Sequence, residues 1–252
     1  MSIRYEYLES IDSTNNEIKR RASDYLKPWT VISAGTQTAG RGRTGHSWES
    51  PKGDSISTSL FLRPLLPPEA ISRLTIIAGM AVASAIEKLY PLKAEIKWPN
   101  DVLVNKKKIC GILSELFFTG DGEKNVVVGI GVNVHQQDFP EEIKHMATSI
   151  DLELKEKGRG SRKELTEGLW EEFERLYKAF EKTGDLSMLK PKYNDRLVSR
   201  GERVRVMDPV NPYEGICIGI DDTGALIVEC DGGDIRKADA GEVSVRGIYG
   251  YV

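Results

Sequence analysis

The chain has 252 residues, of which 40% are hydrophobic and 29% are charged, the composition of a globular protein with material for a large core. Thirty-five basic residues against 38 acidic ones leave a net charge of −3, which excludes the basic surface of a general nucleic-acid-binding protein. Three scattered cysteines and a polar N-terminal stretch indicate reduced thiols and no secretory signal. We therefore expect a cytoplasmic protein without membrane attachment.

The first half of the chain alternates strand and helix patterns. A short strand precedes a helix, at whose start Thr14 and Glu17 have capping-box spacing. "WTVISAG" and "SISTSLFLRP" predict two strands, and the apolar residues after Pro67 and Pro68 recur at helical spacing. "AEIKWPNDVLV", "ICGILSELFF" and "NVVVGIGVNV" predict further strands, with a turn at "WPND" and a hairpin at "NKKK".

The second half changes character toward its end. Residues from about 135 to 160 give no single pattern, and we expect loop with short helical pieces. Ser161 and Glu164 form a second capping-box pair, which opens a helix with an apolar stripe. The C-terminal part consists of short β runs separated by turns, which predicts a small barrel. We therefore predict two domains, 1–197 and 198–252.

A glycine-rich stretch, "GRGRTGHSW" from Gly40 to Trp48, fits the G-x-G-x-x-G fingerprint of dinucleotide-binding proteins. That fingerprint requires a helix after the loop and an acidic residue about 20 positions later, and neither is predicted here. Arg41 and Arg43 alternate with glycines, so the loop can bind an anion through its backbone and its guanidinium groups. A solvated surface turn is the alternative, and the nine residues alone favour it.

Three further strings carry candidate binding residues. Ser13, Thr14 and Asn15 stand at a helix start, where they can hold a small polar ligand or act only as a cap. "KWPND" places an aromatic ring, an amide and a carboxylate around one turn, which suits a nucleotide or an ordinary surface turn. Gly129 and Gly131 interrupt a strong strand, which indicates close approach of a ligand or a bulge.

In this order and spacing, the strings resemble the biotin protein ligases. The match rests on "STN", "GRGRTGHSW", "KWPND", "KKICGI" and "GIGVNV", followed by a β-rich tail that ends in "GEVSVR". It extends from about residue 5 to residue 246. The resemblance implies an α+β fold: a central mixed β-sheet with flanking helices, of the class II synthetase and biotin–lipoate ligase type, plus a small C-terminal SH3-like β-barrel.

The resemblance also implies a reaction. Such enzymes join biotin to ATP in the presence of Mg²⁺, giving biotinyl-5′-AMP and pyrophosphate, and then transfer biotin to a lysine of a biotin carboxyl carrier domain. The motifs begin too early for an N-terminal helix-turn-helix domain, so we expect a ligase without DNA binding, and a homodimer as in many relatives. A lipoate–protein ligase and a non-catalytic biotin-binding sensor stay open as alternatives.

The resemblance assigns a role to each matched residue. Lys108 is the catalytic lysine between the biotin carboxylate and the α-phosphate, and Arg41 and Arg43 neutralise the phosphate while their loop closes over the adenylate. The residues assigned to biotin are Ser13, Thr14, Asn15, Gln37, Gly40, Arg41, Lys108, Gly111, Gly129 and Gly131. Those assigned to ATP and the adenylate are Arg43, His46, Trp48, Asn100, Asp101 and Asn133, with Asp101 also the candidate Mg²⁺ ligand. Many relatives have an arginine in place of His46, which puts one phosphate contact in question.

Overall fold

The structure is a computed structural model that describes residues 2–23, 26–45, 47–48, 52–240 and 244–247. Seven strands build the larger part: β1 (Arg4–Leu8), β2 (Thr30–Ala34), β3 (Ser55–Leu62), β4 (Ala94–Lys97), β5 (Asp101–Val104), β6 (Lys107–Phe118) and β7 (Lys124–Asn133). The described helices are α1 (Thr14–Arg21), α2 (Ile71–Leu89), α3 (Ile150–Leu154), α4 (Arg162–Thr183) and α5 (Lys190–Arg196). The smaller part contains β8 (Arg203–Met207), β9 (Tyr213–Ile220), β10 (Leu226–Cys230), β11 (Ile235–Ala238) and β12 (Ser244–Gly247).

The seven strands form one mixed sheet in the order β1-β2-β3-β7-β6-β5-β4. β1 pairs with β2 in parallel, and all the other neighbouring strands pair antiparallel. This arrangement confirms the predicted α+β fold with a central mixed sheet and flanking helices.

The two faces of the sheet are covered by different helices, because successive side chains of a strand point to opposite faces. On β7, Val126 and Val128 belong to the main core, which also contains the buried residues of α2 and α4. Val127 belongs instead to a smaller cluster with Ile18 of α1 and Phe61 of β3. Since odd-numbered residues of β7 face α1, the glycines that follow Val127 lie on that face too.

Helix α2 forms the centre of the main core. The helical run Pro68–Leu89 is long and apolar enough, by length and composition, to cross a membrane, but most of it is buried between the sheet and α4. It packs as a core helix, which explains why its central residues, 76–83, are all apolar and buried.

The two predicted capping boxes have different outcomes. The N-cap at Ser161 is confirmed, because its Oγ accepts a hydrogen bond from the backbone N–H of Glu164 at 3.3 Å, at the start of α4. The reciprocal half of the box is replaced, since the Ser161 N–H donates to the Tyr90 hydroxyl at 2.9 Å. The box at Thr14 is wrong: α1 begins at Thr14 itself, and Ser13 takes the cap position without a side-chain capping bond. The reason is tertiary, since the Thr14 hydroxyl donates to Gln37 Oε1 at 3.0 Å.

The C-terminal strands form a separate antiparallel sheet in the order β11-β10-β9-β8-β12. A small C-terminal β domain is thus confirmed, although the described strands do not close into a barrel. It is joined to the larger part by the buried indole of Trp98, whose Nε1 donates to the carbonyl of Gly224 at 3.0 Å. The backbone N–H of Leu186 also donates to the carbonyl of Asp222 at 2.8 Å.

Candidate active site

A cavity of about 820 Å³ opens on the α1 face of the sheet, a volume within the usual range of small-molecule sites. Three glycines form part of its floor. Gly111 on β6 lies opposite Gly131 on β7, and Gly129 lies opposite Leu113 on the same pair of strands. Because these glycines occupy adjacent positions on one face, the sheet here presents its bare backbone to the cavity.

One wall of the cavity is a buried polar pocket at the start of α1. Gln37 Oε1 accepts hydrogen bonds from both the backbone N–H and the hydroxyl of Thr14, at 2.8 and 3.0 Å. Ser59 Oγ lies 2.7 Å from Thr14 Oγ1 and 2.6 Å from Asn15 Oδ1. A Cβ atom on Gly129 would lie only 2.2 Å from Asn15 Oδ1, so glycine at this position makes room for the amide. The pocket is preorganised for a small polar group.

The loop from Gly40 to Trp48 connects β2 to β3, which agrees with the exclusion of a dinucleotide fingerprint. The loop is closed at its neck, where the backbone N–H of Trp48 donates to the carbonyl of Gly40 at 3.0 Å. A Cβ atom on Gly40 would lie 2.2 Å from the Trp48 carbonyl oxygen, so only glycine fits there.

The two loop arginines contact different parts of the protein. Arg41 donates to Asn16 Oδ1 at 3.3 Å, and its Nη2 lies 3.3 Å from Glu115 Oε1. Arg43 donates to Asn100 Oδ1 at 3.0 Å and to the carbonyl of Ala240 at 2.8 Å. The loop therefore places one guanidinium beside α1 and the other between the "WPND" turn and the C-terminal domain.

Arg43 is the more buried of the two arginines. Burial lowers its pKa, an effect that the carboxylate of Asp101 opposes. A guanidinium nevertheless stays charged at neutral pH, because its ordinary pKa is above 12. Arg43 is thus a partly desolvated positive charge at the border of the two domains, where it can interact strongly with an anion.

Trp48 lies on the glycine floor. A Cβ atom on Gly131 would meet its indole at 2.3 Å, and one on Gly111 would meet it at 3.1 Å. The indole Nε1 is buried and has no hydrogen-bond partner among the described residues. The ring therefore occupies the place that was expected to accommodate the bicyclic ring of biotin.

Lys108 lies at the other end of the glycine floor. Its Nζ is 2.8 Å from Asp101 Oδ1, and the carboxylate is largely buried. The Lys108 backbone is fixed as well, since its N–H donates to the carbonyl of Met146 at 2.7 Å and its carbonyl accepts from Thr148 at 2.9 Å. The catalytic lysine expected from the sequence thus belongs to a rigid edge of the cavity.

Lys97 lines the same end of the cavity. Burial and the positive charges of Lys108 and Arg246 together lower its pKa to about 8, against the opposing charge of Asp101. Lys97, Lys108 and Arg246 thus bring three basic side chains to one region of the cavity. Such a group is suited to a polyanion, because one ligand of opposite charge can interact with all three cations.

Most of the site residues expected from the sequence line this one cavity: Ser13, Thr14, Asn15, Gln37, Arg41, Arg43, Trp48, Asn100, Asp101, Lys108, Gly111, Gly129 and Gly131. Gly40 lies at the neck of the loop instead. Asn133 is buried at the end of β7, where its Nδ2 donates to the carbonyl of Thr148 at 3.1 Å, and it does not line the cavity. His46 lies outside the described residues.

Several residues at the site carried no signal strong enough for a sequence-based role. Ser59 carries a weak signal, because a hydroxyl inside a strand that is buried on both faces needs a hydrogen-bond partner. His145 and Met146 line the cavity from a segment without recognisable pattern, and Arg246 reaches it from the C-terminal domain. Glu115 lies just outside the lining and was missed entirely.

Comparisons with known proteins agree with this arrangement. The profile of the biotin/lipoate A/B protein ligase family matches residues 7–133, and that of the biotin protein ligase C-terminal domain matches residues 200–246. The biotin–[acetyl-CoA-carboxylase] ligase of Mycobacterium tuberculosis is 34% identical over 238 residues, which cover 92% of this chain and 85% of that protein. The bifunctional ligase/repressor BirA of Bacillus subtilis is also 34% identical, over 95% of this chain and 73% of its own length.

A solved structure shares nearly the whole fold. The biotin protein ligase from Aquifex aeolicus, in complex with biotin and ATP, superposes with a TM-score of 0.86 at 29% identity and covers 97% of this chain and 99% of that chain. With its catalytic fold and its C-terminal domain both matched, the chain belongs to the biotin/lipoate A/B protein ligase family.

Proposed function

We propose that the chain is an ATP-dependent biotin protein ligase. It converts biotin and ATP into biotinyl-5′-AMP and pyrophosphate and then transfers biotin to a lysine of a biotin carrier domain. One observation carries the proposal: a single cavity joins a buried polar pocket, a glycine floor and the Lys108–Asp101 pair. That combination accommodates a small neutral head group at one end and phosphates at the other.

The first step brings the biotin carboxylate to the α-phosphate of ATP, so repulsion between two anions is the main obstacle. Lys108 lies beside Gly111, at the end of the glycine floor away from the polar pocket, and its ammonium can contact both anions there as they approach. Arg41, beside α1, and Arg43, beside the "WPND" turn, neutralise the phosphate from two sides. Positive charge held in place before the reaction lowers the barrier without reorganisation.

The polar pocket suits the ureido head of biotin. Ser13, Thr14, Asn15 and Gln37 are partly or fully buried. Thr14 is hydrogen-bonded to Gln37, and the Ser59 hydroxyl lies within hydrogen-bond distance of both Thr14 and Asn15, so the pocket presents donors and acceptors in fixed directions. The glycine floor would then lie beneath the bicyclic ring. Trp48 must leave Gly131 for this binding mode, and from its loop it can cover the adenylate and exclude water from the mixed anhydride.

Mg²⁺ fits the nucleotide end of the cavity. Asp101 supplies one largely buried carboxylate, and the described residues contain no group of three or more potential metal-binding side chains. A single carboxylate suits Mg²⁺, which is bound mainly through phosphate oxygens and water. When bound, the ion would neutralise phosphate charge, and Asn100 beside Asp101 would contact the same phosphates.

The relatives and the fold support a proposal for the acceptor and another for the assembly. Two relatives are named for acetyl-CoA carboxylase, which supports the carrier domain of a biotin-dependent carboxylase as the acceptor. A homodimer is supported by β1, which forms an edge of the main sheet and exposes Tyr5 and Tyr7. A cytoplasmic location and the absence of DNA binding stay predictions.

The test is biotin transfer to an isolated carrier domain. Incubation with biotin, ATP and Mg²⁺ should add one biotin to the carrier, as measured by the mass of the intact domain. Lipoate in place of biotin should give no product, and thermal stabilisation by biotin but not by lipoate should agree. Lipoylated carrier would identify a lipoate–protein ligase, and biotin binding without any transfer or pyrophosphate release would identify a non-catalytic sensor.

A further inference from the structure

Glu115 lies on β6 two residues beyond Leu113, which lines the cavity, and on the same face as Gly111 and Leu113, because alternate residues of a strand share a face. Its side chain is only 16% exposed. Carboxylates are rarely buried to this extent unless they are paired. The proposed reaction requires no group at this position, so the burial of Glu115 calls for its own explanation.

Three side chains from two separate elements meet the Glu115 carboxylate. Its Oε2 accepts a hydrogen bond from Asn15 Nδ2 at 2.8 Å. Its Oε1 lies 2.8 Å from Lys19 Nζ and 3.3 Å from Arg41 Nη2. Asn15 and Lys19 belong to α1, whereas Arg41 belongs to the Gly40–Trp48 loop. One carboxylate therefore connects the wall of the polar pocket to the loop that covers the cavity.

The neighbouring cations keep the Glu115 carboxylate ionised. Burial raises the pKa of Glu115, but the hydrogen bonds from Lys19 and Asn15, with the charges of Lys19 and Arg41, outweigh burial and leave the pKa below its usual range. Half of the Arg41 side chain stays exposed and lines the cavity. Arg41 can thus contact a ligand anion while Glu115 holds it.

We propose that Glu115 is a positioning residue that fixes Arg41 at the mouth of the cavity and couples the loop to the Asn15 amide of the biotin pocket. Binding of a ligand in the pocket then affects the position of the loop through the Glu115 carboxylate. Loss of its charge loosens the loop but changes no group that contacts the reactants. This inference rests on the proposed adenylating function, because its consequence is retention of the intermediate.

The first experiment needs no ligand. Proteolysis of a folded protein follows the population of locally opened chain, so the trypsin cleavage rate after Arg41, followed by peptide mass spectrometry, reports how firmly Arg41 is held. Glu115→Gln should raise the rate about threefold, as expected for loss of a half-exposed ion pair. Lys19→Met is the matched control, because it removes the other cation on the same oxygen and should leave the rate unchanged. An unchanged rate in Glu115→Gln would overturn the proposal.

The second experiment measures escape of biotinyl-5′-AMP from preloaded protein after dilution. Glu115→Gln should release it about fivefold faster and raise the KM for biotin, while kcat for pyrophosphate release stays within about twofold. In an Arg41→Met background the same substitution should have no further effect on release, because the partner is already absent. A merely structural role would give equal losses in both backgrounds and a lower unfolding temperature.

Wild-type protein in the same assay distinguishes failure of the proposed adenylating function from failure of the positioning role of Glu115. If the wild type forms no adenylate, the proposed function fails, and the trypsin result still shows whether Glu115 holds Arg41 in place. If the wild type retains the adenylate and Glu115→Gln retains it equally, the positioning role fails alone. Glu115→Asp, which keeps the charge but shortens the reach, should lie between the two, and it replaces Glu115→Gln if that variant does not fold.

Discussion

Nζ of Lys108 lies 2.8 Å from Oδ1 of Asp101, at the end of the glycine floor away from the polar pocket. β5 and β6 pair here with a register shift between Val102 and Leu103, which places Leu103 opposite Lys108. The pair holds the lysine in place before any substrate arrives. A ligand anion can then replace the Asp101 contact without movement of the backbone.

Removal of the Lys108 ammonium should stop the first step. Lys108→Ala is expected to lower the rate of biotin-dependent pyrophosphate release by about 10²- to 10³-fold, the usual effect of deleting a preorganised charge. Lys107→Ala is the control, because Lys107 is the exposed neighbour on the same strand and should keep full activity. Circular dichroism should show an intact fold in both variants, and near-normal turnover of Lys108→Ala would refute its role.

Lys97 should give the reaction an alkaline limit. Its pKa of about 8 means that the side chain is charged below this pH and loses its charge as the pH rises through it. If the cation helps to bind the phosphates, kcat/KM for ATP should fall above pH 8 in the free enzyme. Lys97→Arg keeps the charge, so its pH profile should stay level to higher pH. An identical decline in both proteins would exclude Lys97 as the cause.

The loss of charge on Lys97 at high pH should lower kcat/KM but raise the free energy of unfolding. In the unfolded chain its pKa returns to 10.5, so between about pH 8 and 10.5 the unfolded state binds more protons than the folded state. The Lys97 contribution to the free energy of unfolding therefore rises with pH through this window. Lys97→Met should flatten that rise in urea unfolding measured at several pH values, and an unchanged slope would contradict the assignment.

The glycine floor should not tolerate side chains. A Cβ atom on Gly129 would lie 2.2 Å from Asn15 Oδ1, and Asn15 cannot easily move because Ser59 and Glu115 hold its amide. Gly129→Ala should therefore raise the Kd for biotin at least about tenfold, measured by calorimetry. Gly120→Ala, at an exposed position with nothing within 4 Å of the new Cβ, is the control. Equal Kd values would show that the floor does not contact biotin.

The contact between the domains should contribute to stability. Trp98→Phe removes the hydrogen bond from Nε1 to the Gly224 carbonyl and leaves that carbonyl without its buried donor. The free energy of unfolding should fall by about 1–3 kcal/mol. Gly224→Ala should cost more, because Gly224 has a φ of +90° and the new Cβ would lie 2.6 Å from Ile76 Cδ1. Urea unfolding measures both, and losses within error of zero would show that the contact adds no stability.

Local patterns were enough to predict most elements and much of the site. The strands, the long apolar helix and the Ser161 cap each follow from periodicity or from residues within one turn. Gly129 and Gly131 were informative because glycine weakens a strand and needs a compensating reason. The ordered motifs then placed residues from five separate segments in one cavity.

The remaining features depend on contacts between distant segments, which local patterns do not specify. Thr14 has capping-box spacing but bonds to Gln37 across 23 residues, so the tertiary contact overrides the cap. Strand β11 has no clear local signal, because "IRKA" alternates weakly and pairs, among the described strands, with β10 alone. Glu115 looked like an ordinary charged residue in a strand, and only its pairing with Asn15 and Arg41 distinguishes it.

The most direct test uses the protein, biotin, ATP and Mg²⁺ without any carrier domain. Native mass spectrometry of the mixture should show one biotinyl-5′-AMP bound per chain, with pyrophosphate released in equal amount and only when biotin is present. Lys108→Ala should show bound biotin but no adenylate. Pyrophosphate release that does not depend on biotin, or wild-type protein that binds biotin and ATP but never forms the adenylate, would contradict the proposed function.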